Sequence, residues 1–317
     1  MIDHDAFMAL RDNDRRHEWG DRETILYALA AGMGGDPLDA RELRFVLEGT
    51  DFVAMPTLAV VLARSALYRS LPIKMTMVLH GGQFLRLHRP LPTSGEVIAD
   101  TRLTQLIDKG AGKSALITYE TAARTVEDGM PLFTTGGTLV ARGEGGFGGP
   151  SGRVAEPHAI PDRLPDHRHV TDTRPDQALL YRLTGDRNPI HADPKAAARA
   201  GFPRPILHGL CTYAIACRAV LASVCDYDPA LIREFDVRFS APVFPGDRIV
   251  TEMWRDGPIL CFRCRVEDRG AIVLDNGRCR LEAYPPHRQG RRARQCRHLD
   301  RLHGGWHLPA GAPASRA

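Results

Sequence analysis

Residues 181–209, YRLTGDRNPIHADPKAAARAGFPRPILHG, concentrate side chains that can move a proton. Thr184-Gly185-Asp186-Arg187-Asn188-Pro189 is dense in turn formers, so a helix carrying Tyr181 must stop there. Asp186, Asn188 and His191 then project from an irregular loop. That loop offers a carboxylate, an amide able to fix an orientation and an imidazole within one short span. A carboxylate and an imidazole can hold one water between them, taking its proton and returning one to a substrate. Residues 195–200 start a fresh helix, with Asp193 as its cap and Pro194 at its first position. His208-Gly209 opens a long apolar segment. Free N–H groups and the positive end of a helix dipole would face outward there, and Gly209 would let a ligand oxygen approach the backbone.

Each signal alone has a plainer explanation. D-x-N-P is an ordinary turn, a lone histidine is more often structural than catalytic, and His208-Gly209 could be a simple helix start. The combination is informative: T-G-D-x-N-P-I-H, then Gly201-Phe202, then Pro205-Ile206-Leu207-His208-Gly209 before an apolar helix. Adding water to a conjugated thioester asks for the same set. A base must take a proton from water as it attacks the β-carbon, an acid must protonate the α-carbon, and fixed donors must meet the thioester oxygen.

The elements that must position these groups read as two similar halves. In the first, residues 27–32 predict a short helix, 44–47 a strand-like run and 55–70 (MPTLAVVLARSALYRS) a long apolar helix with Pro in its first turn. Strand patterns follow at 80–88, 97–107, 114–127 and 133–142. In the second, short helices at 177–183 and 195–200 precede a long apolar helix at 209–225 and strands at 233–239, 248–255, 260–268 and 271–284. FLRLHRPLPTSGEVIAD, from Phe84, resembles FDVRFSAPVFPGDRIVT, from Phe235, with a one-residue slip before the Gly-acid pair. Duplication of one unit explains this. A helix apolar on nearly every face must be buried, and an antiparallel sheet curling round it is the simplest packing. The expected class is α+β, a double hot-dog fold. The expected boundaries are a first unit over 1–145, a Gly- and Pro-rich linker over 146–165, a second unit over 166–286 and a basic, disordered tail over 287–317.

Composition narrows the function classes. A hydrophobic fraction of 43% with 25% charged residues is that of a soluble globular chain. No long apolar run predicts a membrane span, the first residues are too charged for a signal peptide, and the cytoplasm is the expected location. The net charge of +4 misleads, because residues 287–317 hold seven Arg against one Asp and leave the rest slightly acidic. Nucleic acid is therefore not an expected partner of the body. The arginines between Arg288 and Arg301 could hold phosphates, but no aromatic interleaving accompanies them. Seven scattered cysteines suit a reducing compartment. Cys261 and Cys264 lie in a strand pattern without a second ligand pair, so no metal is expected.

The 181–209 segment resembles the hydratase 2 motif of the MaoC-like dehydratases, and the likeness extends over most of the chain. It includes Met55-Pro56-Thr57, Val78-Leu79-His80-Gly81, Asp108-Lys109-Gly110, Gly145-Gly146-Phe147-Gly148-Gly149 and Phe239-Ser240-Ala241-Pro242. The resemblance implies an (R)-specific 2-enoyl-CoA hydratase with no cofactor, in which only the second half keeps the catalytic loop. The degenerate helix region of the first half would make room for the acyl chain. The resemblance places the catalytic pair on Asp186 and His191, with Asn188 in support. It places acyl-CoA contacts on His80, Gly81, Lys109, Arg187, Pro189, Ile190, Gly209 and Phe239. Phe239 could equally be core, and Lys109 an exposed turn residue. Glu48 matches a family acid and is expected to be a buried or interface structural group. Gly82 departs from relatives, which often carry an acid there. The implied partner is an acyl-CoA thioester, with a homodimer possible. The rival readings are a hot-dog thioesterase and, through the tail, a non-catalytic nucleic-acid binder.

Overall fold

Buried and exposed residues alternate along most of the strand patterns, as they must where one face of a sheet is covered. The computed structural model describes residues 2–152 and 157–282; the basic tail expected over 287–317 lies outside the described residues. The first half runs α1 (His4–Met8), β1 (Arg11–Trp19), α2 (Asp21–Ala30), α3 (Ala40–Leu43), α4 (Ala59–Leu62), α5 (Leu67–Ser70), β2 (Val78–Leu87), β3 (Gly95–Asp108), β4 (Ala115–Thr125) and β5 (Pro131–Ala141). The second runs β6 (His167–Asp172), α6 (Gln177–Tyr181), α7 (Pro194–Arg199), α8 (Gly209–Val224), β7 (Ile232–Phe239), β8 (Arg248–Asp256), β9 (Ile259–Val266) and β10 (Ile272–Leu281).

All ten strands join one antiparallel sheet in the order β1-β3-β4-β5-β2-β7-β10-β9-β8-β6. Read outward from the β2–β7 junction, both halves have the same strand order, so the duplication suspected from Phe84 and Phe235 is a duplication of topology. The junction register is self-complementary. Phe84 faces Asp236 and Leu85 faces Phe235, so each repeat meets its counterpart as in a two-fold interface.

The halves differ in what fills the sheet. In the second, α8 is buried on nearly every side, and Tyr213 Oη donates to the Phe235 carbonyl of β7 at 2.7 Å. Its one charged residue, Arg218, reaches the buried Glu42 of α3 at 2.6 Å. In the first half the long helix expected over 55–70 is broken. A 3₁₀ turn at Pro56–Leu58 and α4 stop at Ala63, whose φ of −104° and ψ of 68° leave the helical region, and α5 starts again at Leu67. Asp12 of β1 stabilises the break, accepting from Ser65 Oγ at 2.8 Å and from the Ala66 N–H at 2.6 Å. An apolar period cannot show this, because the stop signal is a carboxylate from a distant strand.

Two further corrections concern charged or short segments. Residues 44–47 form turns, not a strand. The outermost strands β1 and β6 were not legible, because RDNDRRHEW and HRHVTD bury almost none of their side chains and carry no apolar alternation. Charge along an edge strand is how a sheet discourages further pairing.

Candidate active site

The loop after α6 is held by its own side chains. The helix runs on as a 3₁₀ turn, Arg182–Thr184, and ends at Gly185, whose φ of +119° requires glycine. Asp186 Oδ1 accepts the Asn188 N–H at 3.0 Å, and Asn188 Oδ1 accepts the Ile190 N–H at 3.2 Å, capping the 3₁₀ turn Pro189–His191. Asp193 caps α7 with Pro194 at its start, as its sequence predicts.

Two histidines complete the cluster. His191 Nδ1 lies 2.8 Å from the Ile206 carbonyl, which can only accept, so Nδ1 carries the proton and Nε2 keeps its lone pair while the ring is neutral. His208 Nε2 donates to the Asp186 carbonyl at 3.1 Å. The two rings stack with centroids 3.7 Å apart and planes 24° from parallel. Burial lowers the pKa of both. His208 falls to about 3, helped by the neighbouring His191, so both rings are neutral near pH 7.

Asp186, His191 and His208 each place a ligand-capable atom within 4.8 Å of the others. A water making two hydrogen bonds of about 2.8 Å spans such a gap. The same trio could suggest a metal centre, but the stacking opposes it. An ion about 2 Å from both ring nitrogens must lie in both ring planes, and nearly parallel planes do not meet within that distance.

The facing wall comes from the sheet junction. His80 of β2 and Phe239 of β7 have ring centroids 4.8 Å apart. A Cβ on Gly209 would stand 3.1 Å from the Phe239 ring, so only glycine leaves this corner open. His80 Nε2 is buried without a hydrogen-bond partner. Burial pushes the His80 pKa down to about 4, against the opposing field of Asp186. Gly81 sits in the bulge between His80 and Gly82, packed against Val140. His208 precedes α8 without capping it, so the first N–H groups of the helix, beginning at Gly209, have no side-chain cap.

The chain's two halves match two family models, the MFE-2 hydratase 2 N-terminal domain over residues 17–143 and the MaoC like domain over 157–276. It is 40% identical over 283 residues to the enoyl-CoA hydratase ChsH3 of Mycobacterium tuberculosis, covering 87% of this chain and 97% of that one. The chain belongs to the MaoC-like hydratase 2 family. A second relative from that organism, 3-hydroxyacyl-thioester dehydratase Y, is 42% identical over 271 residues, covering 82% of this chain and 92% of the relative. The crystal structure of a MaoC-like dehydratase from Phytophthora capsici superposes with a TM-score of 0.79 at 30% identity, covering 89% of this chain and 98% of that one. The fold is the double hot dog.

Within this MaoC-like chain, the structure brings Asp186 and His191 together and sets His80 and Phe239 against Gly209, while Asn188 is exposed and braces the loop and Gly81 follows His80 in β2. Arg187 and Pro189 are exposed on the loop's outer side and Ile190 is half-buried. Lys109 stands apart, in the turn between β3 and β4, where Nζ donates to the Gly152 carbonyl at 3.0 Å. Asp108 faces Ala115, Ala115 faces Ala141, and Ala141 faces Val78. Lys109 therefore lies at the same end of the sheet as His80, about 14 Å across it at the usual strand spacing. The Asp108 carboxylate ties this turn to the glycine-rich loop, accepting the N–H groups of Gly110 and Gly146 at 2.7 Å and of Gly148 at 2.8 Å.

His208 read only as a helix start, because nothing in its spacing reveals a stack on His191. Glu48 is exposed, so of the two structural roles expected for it the buried one is not met. A nearby acid, Glu42, is buried instead, and binds Arg218, the Tyr227 hydroxyl at 3.1 Å and the Gly34 N–H at 2.9 Å. Gly82 backs onto the Val237 carbonyl, with 3.1 Å to a notional Cβ.

Proposed function

We propose that this protein adds water to a trans-2-enoyl-CoA to give the (3R)-3-hydroxyacyl-CoA, and catalyses the reverse dehydration, with Asp186 and His191 as the reacting pair and no metal. The observation that carries this reading is the convergence of the Asp186 carboxylate and the buried, neutral His191 beside the uncapped start of α8. Asp186 takes a proton as the water oxygen attacks the β-carbon. His191, with its Nε2 lone pair free, shares the water, receives that same proton from Asp186 and passes it to the α-carbon, so that Asp186 ends ionised and His191 neutral, as they began. One proton and one hydroxyl are thus added, and none is left over. Negative charge gathering on the thioester oxygen meets the N–H groups and positive dipole end at Gly209. Asn188 keeps the loop in register through the Ile190 N–H. The relatives named as enoyl-CoA hydratase and 3-hydroxyacyl-thioester dehydratase support the same chemistry. His80 and Phe239 would flank the thioester, and Lys109 would meet a CoA phosphate.

The test follows crotonyl-CoA through both the enoyl-thioester absorbance and free thiol. A hydratase loses the chromophore without releasing CoA, whereas thiol release would mark a thioesterase. Asp186→Asn should fold normally and lose turnover by about 100-fold to 10,000-fold, the range a positioned base supplies. Turnover near that of the parent would end the assignment.

A further inference from the structure

We propose that Arg64, from the half without the catalytic loop, is a positioning residue that clamps the loop carrying Asp186. This rests on the reading of Asp186 and His191 as the reacting pair. Arg64 stands where the first-half helix breaks, one residue beyond Ala63 and just before the Ser65-Ala66 pair held by Asp12. The break turns its side chain out of the first-half core and across to the other half. There its guanidinium donates to the Thr184 carbonyl at 3.2 Å. It lies so close to Gly185 that a Cβ at that position would meet the guanidinium carbon and a terminal nitrogen at 2.8 Å.

The chemistry of that carbonyl explains the contact. Thr184 ends the 3₁₀ turn that extends α6, where carbonyls lack helical partners and the dipole favours a cation. Arg64 is half-buried, and among the described residues no carboxylate is paired with it. On the other side of Gly185, the Asp186 carbonyl is held by His208 Nε2. The two carbonyls that flank the left-handed glycine are therefore each fixed by a donor from elsewhere, one from each half of the molecule. Gly185 is where the loop backbone can most easily turn. Releasing the Thr184 carbonyl would let the peptide between Thr184 and Gly185 rotate and swing the Asp186 carboxylate away from His191. The first half thus holds the catalytic loop as well as flanking it.

The experiment uses the full chain with crotonyl-CoA. Arg64→Ala should lower kcat by about 100-fold, the cost of misplacing a reacting group by about 1 Å. KM should change by less than about threefold, since no substrate contact is removed. Added guanidinium chloride, far below concentrations that unfold proteins, should restore part of the lost kcat in Arg64→Ala while leaving the parent unchanged. Arg64→Lys keeps the charge but not the fork and should fall between the two. If Arg64→Ala does not fold, Arg64→Lys decides, with a parental kcat overturning the proposal. A kcat of Arg64→Ala within twofold of the parent, or a loss that guanidinium does not reverse, also overturns it. Asp186→Asn assayed in parallel separates the two levels. If that variant turns over normally, the reacting pair is wrong. If it is inactive while Arg64→Ala is not impaired, only the clamp fails.

Discussion

Acidification from pH 8 to pH 5 should destabilise this fold through its buried histidines. His208 is 2% exposed and is pushed down to about 3 by burial and by the stacked His191. His80 is pushed down to about 4 by burial. Unfolded, both would titrate near 6.5. As pH falls below that value, the unfolded chain takes up protons that the folded chain refuses. The stabilisation is complete above about 6.5 and is lost towards the folded values. Each such group costs roughly 1.4 kcal/mol for every pH step of one, or about 2 kcal/mol by pH 5 and about 4 kcal/mol for the pair. His17, His169 and His191 are lowered as well and act with the same sign. Asp39, Asp108, Asp128 and Asp166 are held below the usual carboxylate range by hydrogen bonds to arginine side chains or backbone N–H groups, so their contribution survives at pH 5. Against a total of about 5–15 kcal/mol, the histidine loss is large. Urea unfolding at pH 8, 6.5 and 5, followed by fluorescence of the buried Trp19 and Trp254, should show a small loss of about 1 kcal/mol at pH 6.5, where the unfolded imidazoles are half protonated, and a drop of about 4 kcal/mol at the lowest. His208→Phe keeps a stacking ring without a titratable nitrogen and should remove about half of the drop. A stability at pH 5 within about 1 kcal/mol of that at pH 8 would refute the reasoning.

Three other outcomes follow from the same structure. Lys109→Ala should raise KM for crotonyl-CoA several-fold with kcat little changed, and should have no effect on a truncated thioester lacking the nucleotide; steady-state kinetics with both substrates checks this. Glu42→Ala strands the half-buried Arg218 and removes the acceptor of the Tyr227 hydroxyl, so it should cost about 3–5 kcal/mol in denaturant unfolding. Gly209→Ala presses a methyl against Phe239 at 3.1 Å, and should lower kcat/KM by about tenfold or more while the melting temperature holds, since alanine is the better helix former.

The reach of sequence reading followed whether a feature is local. α8 is apolar on nearly every face, α7 carries its cap and proline, and the T-G-D-x-N-P-I-H loop builds its own turns through Asp186 and Asn188. These features are decided by neighbours in the chain, so residue types and spacing are enough to find them. The duplicated unit was legible for the same reason, since Phe84 and Phe235 open matching strand-turn-strand segments.

What tertiary structure alone decided involves partners far apart in sequence. The helix expected over 55–70 ends at Ala63, where the carboxylate of Asp12 stabilises the break, and Arg64 is turned onto Thr184 of the other half. His208 becomes part of the site because its ring stacks on His191, and Glu42 rather than Glu48 is buried because Arg218 meets it there. The strands β1 and β6, with no apolar face to advertise, exist because β3 and β8 present backbone groups for them to pair with. In each case the energy comes from burial or a hydrogen bond that closes only once the chain has folded back on itself. A one-dimensional pattern records the donor and the acceptor but not their meeting.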